Sequence, residues 1–224
     1  MNFAIVIPAR KGSKGIKNKN LIKIKNKPLI QYTFDQIKNI KIPKFILSND
    51  DNIKLLAKKN KINSSYLRPQ KTSTSKSSLV ETLLHFANWS IDKYAIDYLV
   101  ILQPTSPLRT ALDIDNLINQ AMNTNSTSFV SISEVKDHPR YMYSINKNKK
   151  IINYFNLKKI YNRQKFEKIY RENGSIYFES IKEFKKDRSF INNKTKGFIM
   201  PYIKSIDIDT IYDFRIAEIL FRIK

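Results

Sequence analysis

The apolar residues in the first half of the chain follow two alternating patterns. Short continuous runs such as Ala4–Ile7 and Leu99–Leu102 are typical of strands buried on both faces of a parallel sheet. Longer amphipathic stretches between them predict helices. The predicted strands are Phe3–Pro8, Lys44–Ser48, Ser65–Leu67, Tyr98–Leu102 and Ser128–Ser133, and the predicted helices are Pro28–Asn39, Asn52–Asn60, Ser78–Trp89 and Asp113–Asn123. This alternation predicts an α/β fold, a mostly parallel sheet flanked by helices.

The pattern changes after about Glu134. The segment His138–Arg171 is rich in Lys, Asn, Tyr and Ile, and its short alternating pieces predict a β-rich arm over about residues 136–171. The main pattern then returns, with strands predicted at Ser175–Glu179, Phe198–Met200 and Ser205–Ile208 and a helix at Ile211–Ile223. No linker or repeat divides residues 1–224, so we expect one domain that carries an arm.

The net charge of +22 raises the alternative of a basic nucleic-acid-binding protein. The lysines are spread from Lys11 to Lys224, however, without an aromatic–basic RNA-binding signature. We therefore interpret them as solvated side chains whose field favours anionic substrates. Cysteine is absent, the start lacks the features of a signal peptide, and no apolar run reaches the roughly 18 residues of a membrane span. We expect a cytoplasmic protein that binds neither nucleic acid nor membrane.

Glycine is scarce, and two of the four glycines lie close together after the first strand. Gly12 and Gly15 stand at its carboxyl end, where open α/β sheets bind ligands, and the N–H groups of such a turn can form an anion-binding nest. Arg10, Lys14 and Lys19 add cations suited to a triphosphate. The spacing fits neither a P-loop nor a dinucleotide motif. An ordinary turn with solvated lysines is the alternative.

A second polar loop follows the predicted strand Tyr98–Leu102. Its two prolines end the strand and stiffen the chain. Gln103, Thr105, Ser106 and Arg109 then lie at another carboxyl strand end, and a glutamine side chain can read a base or a sugar hydroxyl. The alternative is a loop that caps the next helix through Thr110 or Asp113.

Two carboxylates occur near the end of the chain. On the predicted strand Ser205–Ile208, residues two apart share a face, so Asp207 and Asp209 should project together. Paired carboxylates suit Mg²⁺, which also takes phosphate oxygens and water. The alternative for Asp209 is a cap of the final helix.

Five ordered segments together resemble the acylneuraminate cytidylyltransferases (CMP-sialic acid synthetases), including enzymes of the CMP-legionaminate type. These segments are Ile7–Asn20, Leu67–Pro69, Leu102–Arg109, Arg171–Tyr177 and Ile206–Thr210, and they span nearly the whole chain. The resemblance implies a Rossmann-like nucleotidyltransferase fold with a dimerisation arm, and a homodimer. It implies that CTP and a nine-carbon 2-keto-sugar acid (sialic acid or a related nonulosonate) give a CMP-sugar and pyrophosphate, with Mg²⁺ (or Mn²⁺) as cofactor.

The same resemblance assigns roles to individual residues. The catalytic residues would be Arg10, Lys14, Asp207 and Asp209, the last two as metal ligands. The nucleotide would contact Arg10, Gly12, Ser13, Lys14, Gly15, Lys19, Asn20, Arg68 and Ser78. The sugar acid would contact Gln103, Thr105, Ser106, Arg163, Arg171, Asn173 and Tyr177. At Lys71–Ser75 the sequence lacks the Leu-Ala-x-Asp stretch of related enzymes, which keeps a catalytically inactive nucleotide-binding relative as an alternative.

Overall fold

A six-stranded sheet forms the centre of the fold in a computed structural model that describes residues 2–13, 15–74, 77–155 and 166–223. Its strands are β1 (Phe3–Pro8), β4 (Lys44–Leu47), β5 (Tyr98–Leu102), β6 (Ser128–Glu134), β9 (Tyr170–Ser180) and β10 (Lys196–Ile199). Two small hairpins pair β2 (Lys23–Ile24) with β3 (Lys27–Pro28), and β7 (Tyr143–Ile145) with β8 (Ile151–Asn153). The helices are α1 (Leu29–Ile37), α2 (Asp51–Lys59), α3 (Leu79–Tyr94), α4 (Ala111–Asn123), α5 (Ile181–Asp187) and α6 (Ile211–Ile223).

The strand order is β10-β6-β9-β5-β1-β4. Only β9 runs antiparallel to its neighbours in this sheet, β5 and β6, and the remaining pairs are parallel. The predicted mostly parallel sheet flanked by helices is therefore confirmed. None of the helices in the described ranges is both long and apolar enough to cross a membrane.

Two of the predicted strands are wrong. In Ser65–Leu67 the chain is irregular, and only Asn63, just before it, forms an isolated bridge to Phe45. Ser205–Ile208 is not a strand either, because it crosses the ends of the sheet strands instead of extending the sheet. Its backbone bonds go to a loop, where the Ile208 N–H donates to the Thr105 carbonyl at 2.9 Å.

The continuous apolar runs are explained by cores on both faces of the sheet. Ile5 and Ile7 of β1 pack with apolar residues of α1, α2 and α4, whereas Ala4 and Val6 pack with α3 and α5. Successive side chains of a strand point to opposite faces, so a strand covered on both sides has no polar face. These cores hold the carboxyl ends of β1 and β5 side by side.

A third, smaller core joins the two ends of the chain. Ile16 and Ile24, from the segment after β1, pack against Ile208 and against Phe214 and Ala217 of α6. This cluster brings the glycine-containing loop to the segment that carries Asp207 and Asp209, although some 190 residues separate them in the sequence.

The β7–β8 hairpin lies in the segment where the arm is predicted. Tyr143 pairs with Asn153 and Ile145 with Ile151, and these strands stand apart from the main sheet. Several large apolar side chains of the hairpin region are exposed, with Ile145 at 71% and Ile151 at 67%. The rest of the predicted arm includes residues 156–165, which lie outside the described residues.

Arg109 is a fully buried charged residue that connects three parts of the fold. Its guanidinium donates to Gln36 Oε1 (3.1 Å) and Thr33 Oγ1 (3.1 Å) of α1. It also donates to the carbonyl of Gln103 (3.4 Å), after β5, and to that of Ser175 in β9. Burial lowers the pKa of Arg109 to about 9, so the group is still charged at neutral pH. Arg109 thus fixes the loop that follows β5.

Replacing Arg109 with Met should lower the free energy of unfolding by about 2–4 kcal/mol, because it leaves buried acceptors without donors. Urea unfolding followed by circular dichroism measures the loss. The control Arg215→Met removes an exposed arginine, paired only with Glu218 among the described residues, and should change stability by less than about 0.5 kcal/mol. Equal stability of the two variants would show that Arg109 does not anchor the loop.

Glu179 is buried at the end of β9 away from the Gln103 loop, with 1% of its surface exposed. Its carboxyl accepts a hydrogen bond from the Ser128 hydroxyl at 3.0 Å, and that hydroxyl lies 3.0 Å from the Thr195 hydroxyl. Burial raises the pKa of Glu179 to about 9, and the charge of Asp187 acts in the same direction. The side chain is therefore protonated at neutral pH.

We expect this proton to make stability depend on pH. Glu179 loses its proton near pH 4.5 in the unfolded chain and near pH 9 in the folded chain. The free energy of unfolding therefore decreases as pH rises through that window. Glu179→Gln cannot ionise, and its stability relative to the wild type should increase from pH 5 to pH 9 in urea unfolding. The exposed Glu167→Gln should show no such trend. A constant difference across this range would contradict the buried-proton interpretation.

Candidate functional site

A cavity of about 230 Å³ opens at the carboxyl ends of β1 and β5. It is lined by Pro8, Arg10, Ser13, Gly15, Lys19, Asn20, Gln103, Pro104, Thr105 and Asp209. The structure thus brings together the glycine-containing loop, the proline-stiffened loop and one of the two predicted metal ligands. Cations and hydrogen-bonding groups surround a space of the kind found at ligand sites of α/β sheets.

The glycines of the first loop meet different requirements. Gly12 has a φ of +78°, a left-handed conformation that costs other residues free energy. Gly15 is required by space, since a β-carbon there would lie 2.1 Å from the carbonyl oxygen of Asp209. The buried Asn20 closes the loop by donating from its side chain to the Arg10 carbonyl at 3.4 Å.

Lys19 and Asp209 form an ion pair at the cavity wall. The distance from Lys19 Nζ to Asp209 Oδ1 is 2.6 Å. The Lys19 side chain is 12% exposed, whereas that of Asp209 is 71% exposed. The carboxylate therefore remains open to solvent and to a ligand while one oxygen holds the ammonium.

Asp209 does not cap α6. The N-cap is Thr210, and the Asp213 carboxylate completes the cap by accepting hydrogen bonds from the N–H groups of Asp209 (3.2 Å) and Thr210 (2.7 Å) and from the Thr210 hydroxyl (2.8 Å). In return, the Asp213 N–H donates to the Thr210 hydroxyl at 3.3 Å. This reciprocal cap fixes the backbone of Asp209 and leaves its carboxylate available.

The prediction that Asp207 and Asp209 share the face of a strand is wrong in its geometry. They flank Ile208, which is buried in the third core and bonded through its N–H to Thr105. Asp207 faces inward: its Oδ1 is buried and has no hydrogen-bond partner among the described residues. Burial raises the pKa of Asp207; the Thr105 hydroxyl beside the carboxylate opposes this effect, and the nearby Asp209 carboxylate adds to it.

Gly174, on strand β9, leaves space for the Asp207 side chain. It has a φ of +69°, and a β-carbon there would lie 3.2 Å from Asp207 Oδ2 and 3.8 Å from Gln103 Nε2. The antiparallel strand β9 therefore passes close to both side chains.

The oxygens of Asp207 and Asp209 fit Mg²⁺ or Mn²⁺. The buried, unpartnered Oδ1 of Asp207 and the exposed carboxylate of Asp209 are the hard donors that these ions prefer. Across the described ranges no group of three or more His, Cys, Asp or Glu side chains could hold a metal alone. The arrangement therefore suits an ion that takes its remaining ligands from phosphate and water.

The sugar-acid side of the predicted site contains buried hydroxyl groups. Thr105 and Ser106 are buried; the Thr105 hydroxyl lies beside the Asp207 carboxylate, and the Ser106 hydroxyl has no hydrogen-bond partner within the described part of the chain. Tyr177 is buried as well, and burial raises its pKa, with further contributions from the charges of Glu172 and Asp207. Buried polar groups without partners favour a bound ligand or ordered water here.

Arg68 stabilises the loop that follows Pro69 instead of lining the cavity. Its guanidinium donates to the carbonyls of Thr72 and Leu47 and to the Thr82 hydroxyl. Arg10 donates to the Thr74 carbonyl of the same loop at 3.0 Å. The stretch after Pro69 is therefore fixed near the cavity by two arginines.

Three other predicted residues also make internal bonds. Ser78 caps α3, its hydroxyl accepting from the Glu81 N–H at 3.1 Å. Asn173 is buried and bonded to Ser131 and Ser205, so it holds β9 in place without facing the cavity. Arg171 is exposed and donates to the backbone carbonyls of Glu172 and Ser205. Lys14 and Arg163 lie outside the described residues.

Sequence reasoning missed Glu172 and the role of Gly174. The charge of Glu172 acts on the Tyr177 hydroxyl, a contact that depends on the path of β9. Gly174 carried a usable signal, because it is one of only four glycines and stands within a matched segment.

Comparison with known proteins identifies a family for this chain. Residues 4–219 match the model of the family described as Cytidylyltransferase. The chain is 30% identical to CMP-N,N'-diacetyllegionaminic acid synthase of Legionella pneumophila, over all of this chain and 97% of the relative. It is 29% identical to N-acylneuraminate cytidylyltransferase of Streptococcus agalactiae, over 93% of this chain and 51% of the relative. The chain thus spans about half the length of the Streptococcus relative.

Two solved structures share the fold. One is a CMP:2-keto-3-deoxy-manno-octonic acid synthetase complexed with CTP, with a TM-score of 0.72, 13% identity and 99% coverage of both chains. The other, 4-diphosphocytidyl-2C-methyl-D-erythritol synthase of Anaerococcus prevotii, has a TM-score of 0.64 and 13% identity and covers 99% of this chain and 98% of the other. The match over residues 4–219 and the close sequence relatives together show that this chain belongs to the cytidylyltransferase family.

Proposed function

We propose that the protein transfers CMP from CTP to a nine-carbon 2-keto-sugar acid and releases pyrophosphate. The observation that carries this proposal is one cavity that combines a basic, glycine-containing loop with the Asp209 carboxylate from the other end of the chain. The relatives named for sialic, legionaminic and pseudaminic acids support this substrate class. The family match favours this reading over a nucleic-acid-binding protein. The use of CTP also supports our proposal of a cytoplasmic location.

The basic loop would bind the triphosphate. Arg10 and Lys19 line the cavity, and Lys14 belongs to the same loop. The anomeric hydroxyl of the sugar acid would attack the α-phosphorus in line, forming the new P–O bond as the bond to pyrophosphate breaks. Positioning the reactants and neutralising the developing charge are the main catalytic contributions in such transfers.

Asp207 and Asp209 would hold Mg²⁺ (or Mn²⁺), which neutralises phosphate charge when bound. The third core and the Thr210–Asp213 cap hold the backbone on both sides of these carboxylates. A rigid backbone of this kind keeps the carboxylates aligned with the phosphates.

Gln103, Thr105 and Ser106 would receive the sugar acid. Gln103 and Thr105 line the cavity together with Asp209, and the buried Ser106 hydroxyl has no partner within the described ranges. Arg171 and Tyr177 stand close by on β9, and an arginine matches a sugar carboxylate well. Arg163 is proposed on the resemblance alone.

The expected activity is pyrophosphate release from CTP and Mg²⁺ in the presence of one acid from a panel of sialic, legionaminic and pseudaminic acids. A coupled pyrophosphate assay measures it, and omission of the acid is the control. Folded protein that releases no pyrophosphate with any acid would favour the catalytically inactive relative.

In the same assay Asp209→Asn should reduce turnover by at least about a hundredfold, because it removes a metal ligand. The exposed Asp115→Asn makes the same change in charge outside the residues that line the cavity and should keep wild-type turnover.

We also propose a homodimer formed through the β7–β8 hairpin, whose exposed apolar side chains favour a protein contact. Sedimentation velocity should show a dimer at micromolar concentration. The double variant Ile145→Lys, Ile151→Lys places charge on a cross-strand pair and should sediment as a folded monomer. A variant that remains dimeric would locate the interface elsewhere.

A further inference from the structure

We propose that Lys19 is a built-in counter-ion of the metal site: its ammonium pairs with Asp209 until metal and nucleotide arrive together. The inference rests on the proposed function and adds to it an order of events: the site should bind a divalent ion poorly without nucleotide and well with it.

The geometry places the ammonium where a metal would compete with it. Lys19 Nζ lies 2.6 Å from Asp209 Oδ1, which leaves no room for an ion between the two atoms. A divalent ion bound to that oxygen would lie close to the ammonium, and repulsion between the two cations would favour displacement of the ammonium. Asp207 provides a buried oxygen nearby that has no partner among the described residues, so the ion pair neutralises only part of the site.

The backbones on both sides of the pair are fixed, whereas the side chains can move. Lys19 begins a short 3-10 helix, Lys19–Leu21, and Asp209 is held between the close approach of Gly15 and the Thr210–Asp213 cap. A lysine carries a compact charge on a flexible stem, so its ammonium can leave one partner for another without movement of the main chain. Lys19 lines the cavity, where a triphosphate would offer that second partner.

This exchange would couple the binding of the two ligands. Without nucleotide, a metal ion at Asp209 competes with the ammonium and is repelled by its charge. With nucleotide, a phosphate accepts the ammonium and Asp209 becomes free for the ion. Such coupling is reciprocal, so the metal should strengthen nucleotide binding by the same factor.

Mn²⁺ binding, measured from the paramagnetic resonance signal of the free ion, tests the coupling without turnover. The nucleotide is a CTP analogue with a methylene group between the α- and β-phosphorus atoms, which cannot release pyrophosphate. In the wild type we expect the analogue to tighten Mn²⁺ binding about tenfold or more. Lys19→Met should bind Mn²⁺ alone about fivefold more tightly than the wild type and should gain less from the analogue.

Two further variants separate this exchange from other effects. Lys17→Met removes one positive charge from an exposed residue of the same loop that has no ion pair within the described ranges, and it should behave as the wild type does. Lys19→Gln keeps a polar side chain of similar length and should reproduce the behaviour of Lys19→Met, which guards against a folding defect in one variant. Circular dichroism checks the fold of each protein.

The inference is overturned if both Lys19 variants bind Mn²⁺ alone no more tightly than the wild type, or if Lys17→Met shows the same gain. An analogue that leaves wild-type Mn²⁺ binding unchanged would overturn it as well. Failure of the proposed function is a separate result, since it is read from wild-type pyrophosphate release with the panel of acids.

Discussion

The backbone at Gly15 and the carbonyl group of Asp209 approach so closely that a β-carbon at position 15 would lie 2.1 Å from the oxygen. This close approach requires glycine at position 15, beside the cavity. It holds the basic loop after β1 against the segment before α6, and it sets the distance that lets Lys19 reach Asp209. The third core stabilises this approach, because Ile16 and Ile24 pack against Ile208 and Phe214.

The site also depends on how charge is balanced inside the fold. Arg109 has its donors directed at buried acceptors, Glu179 keeps its proton, and Asp113 pairs with Lys204 at 2.8 Å. Asp207 differs from these groups, since one of its oxygens is buried without a partner among the described residues. An unsatisfied carboxylate oxygen costs stability, and such a cost is typical of a position shaped by its ligand.

The sequence was most informative where one local pattern decided the structure. The uninterrupted apolar runs Ala4–Ile7 and Leu99–Leu102 could only be covered strands, and the loops after them had to meet at one edge of the sheet. The pairing of Asp207 with Asp209 was argued from strand periodicity, yet the structure places them on an irregular segment. Their positions depend on a hydrogen bond from Ile208 to Thr105 and on a distant apolar cluster, neither of which leaves a local pattern. Likewise, the internal bonds of Asn173 and Arg68 follow from tertiary contacts that residue type does not reveal.

The place of β9 in the sheet has a consequence for how the protein is made. This strand lies between β5 and β6, although it comes after both and after the hairpin in the chain. During synthesis, β5 and β6 therefore emerge without the strand that joins them, and their facing edges stay unpaired until residues 170–180 have left the ribosome. Pairing that must wait for distant sequence is slow and exposes strand edges meanwhile. The late strand also carries Gly174 to Asp207, so completion of the sheet and assembly of the site are the same folding event.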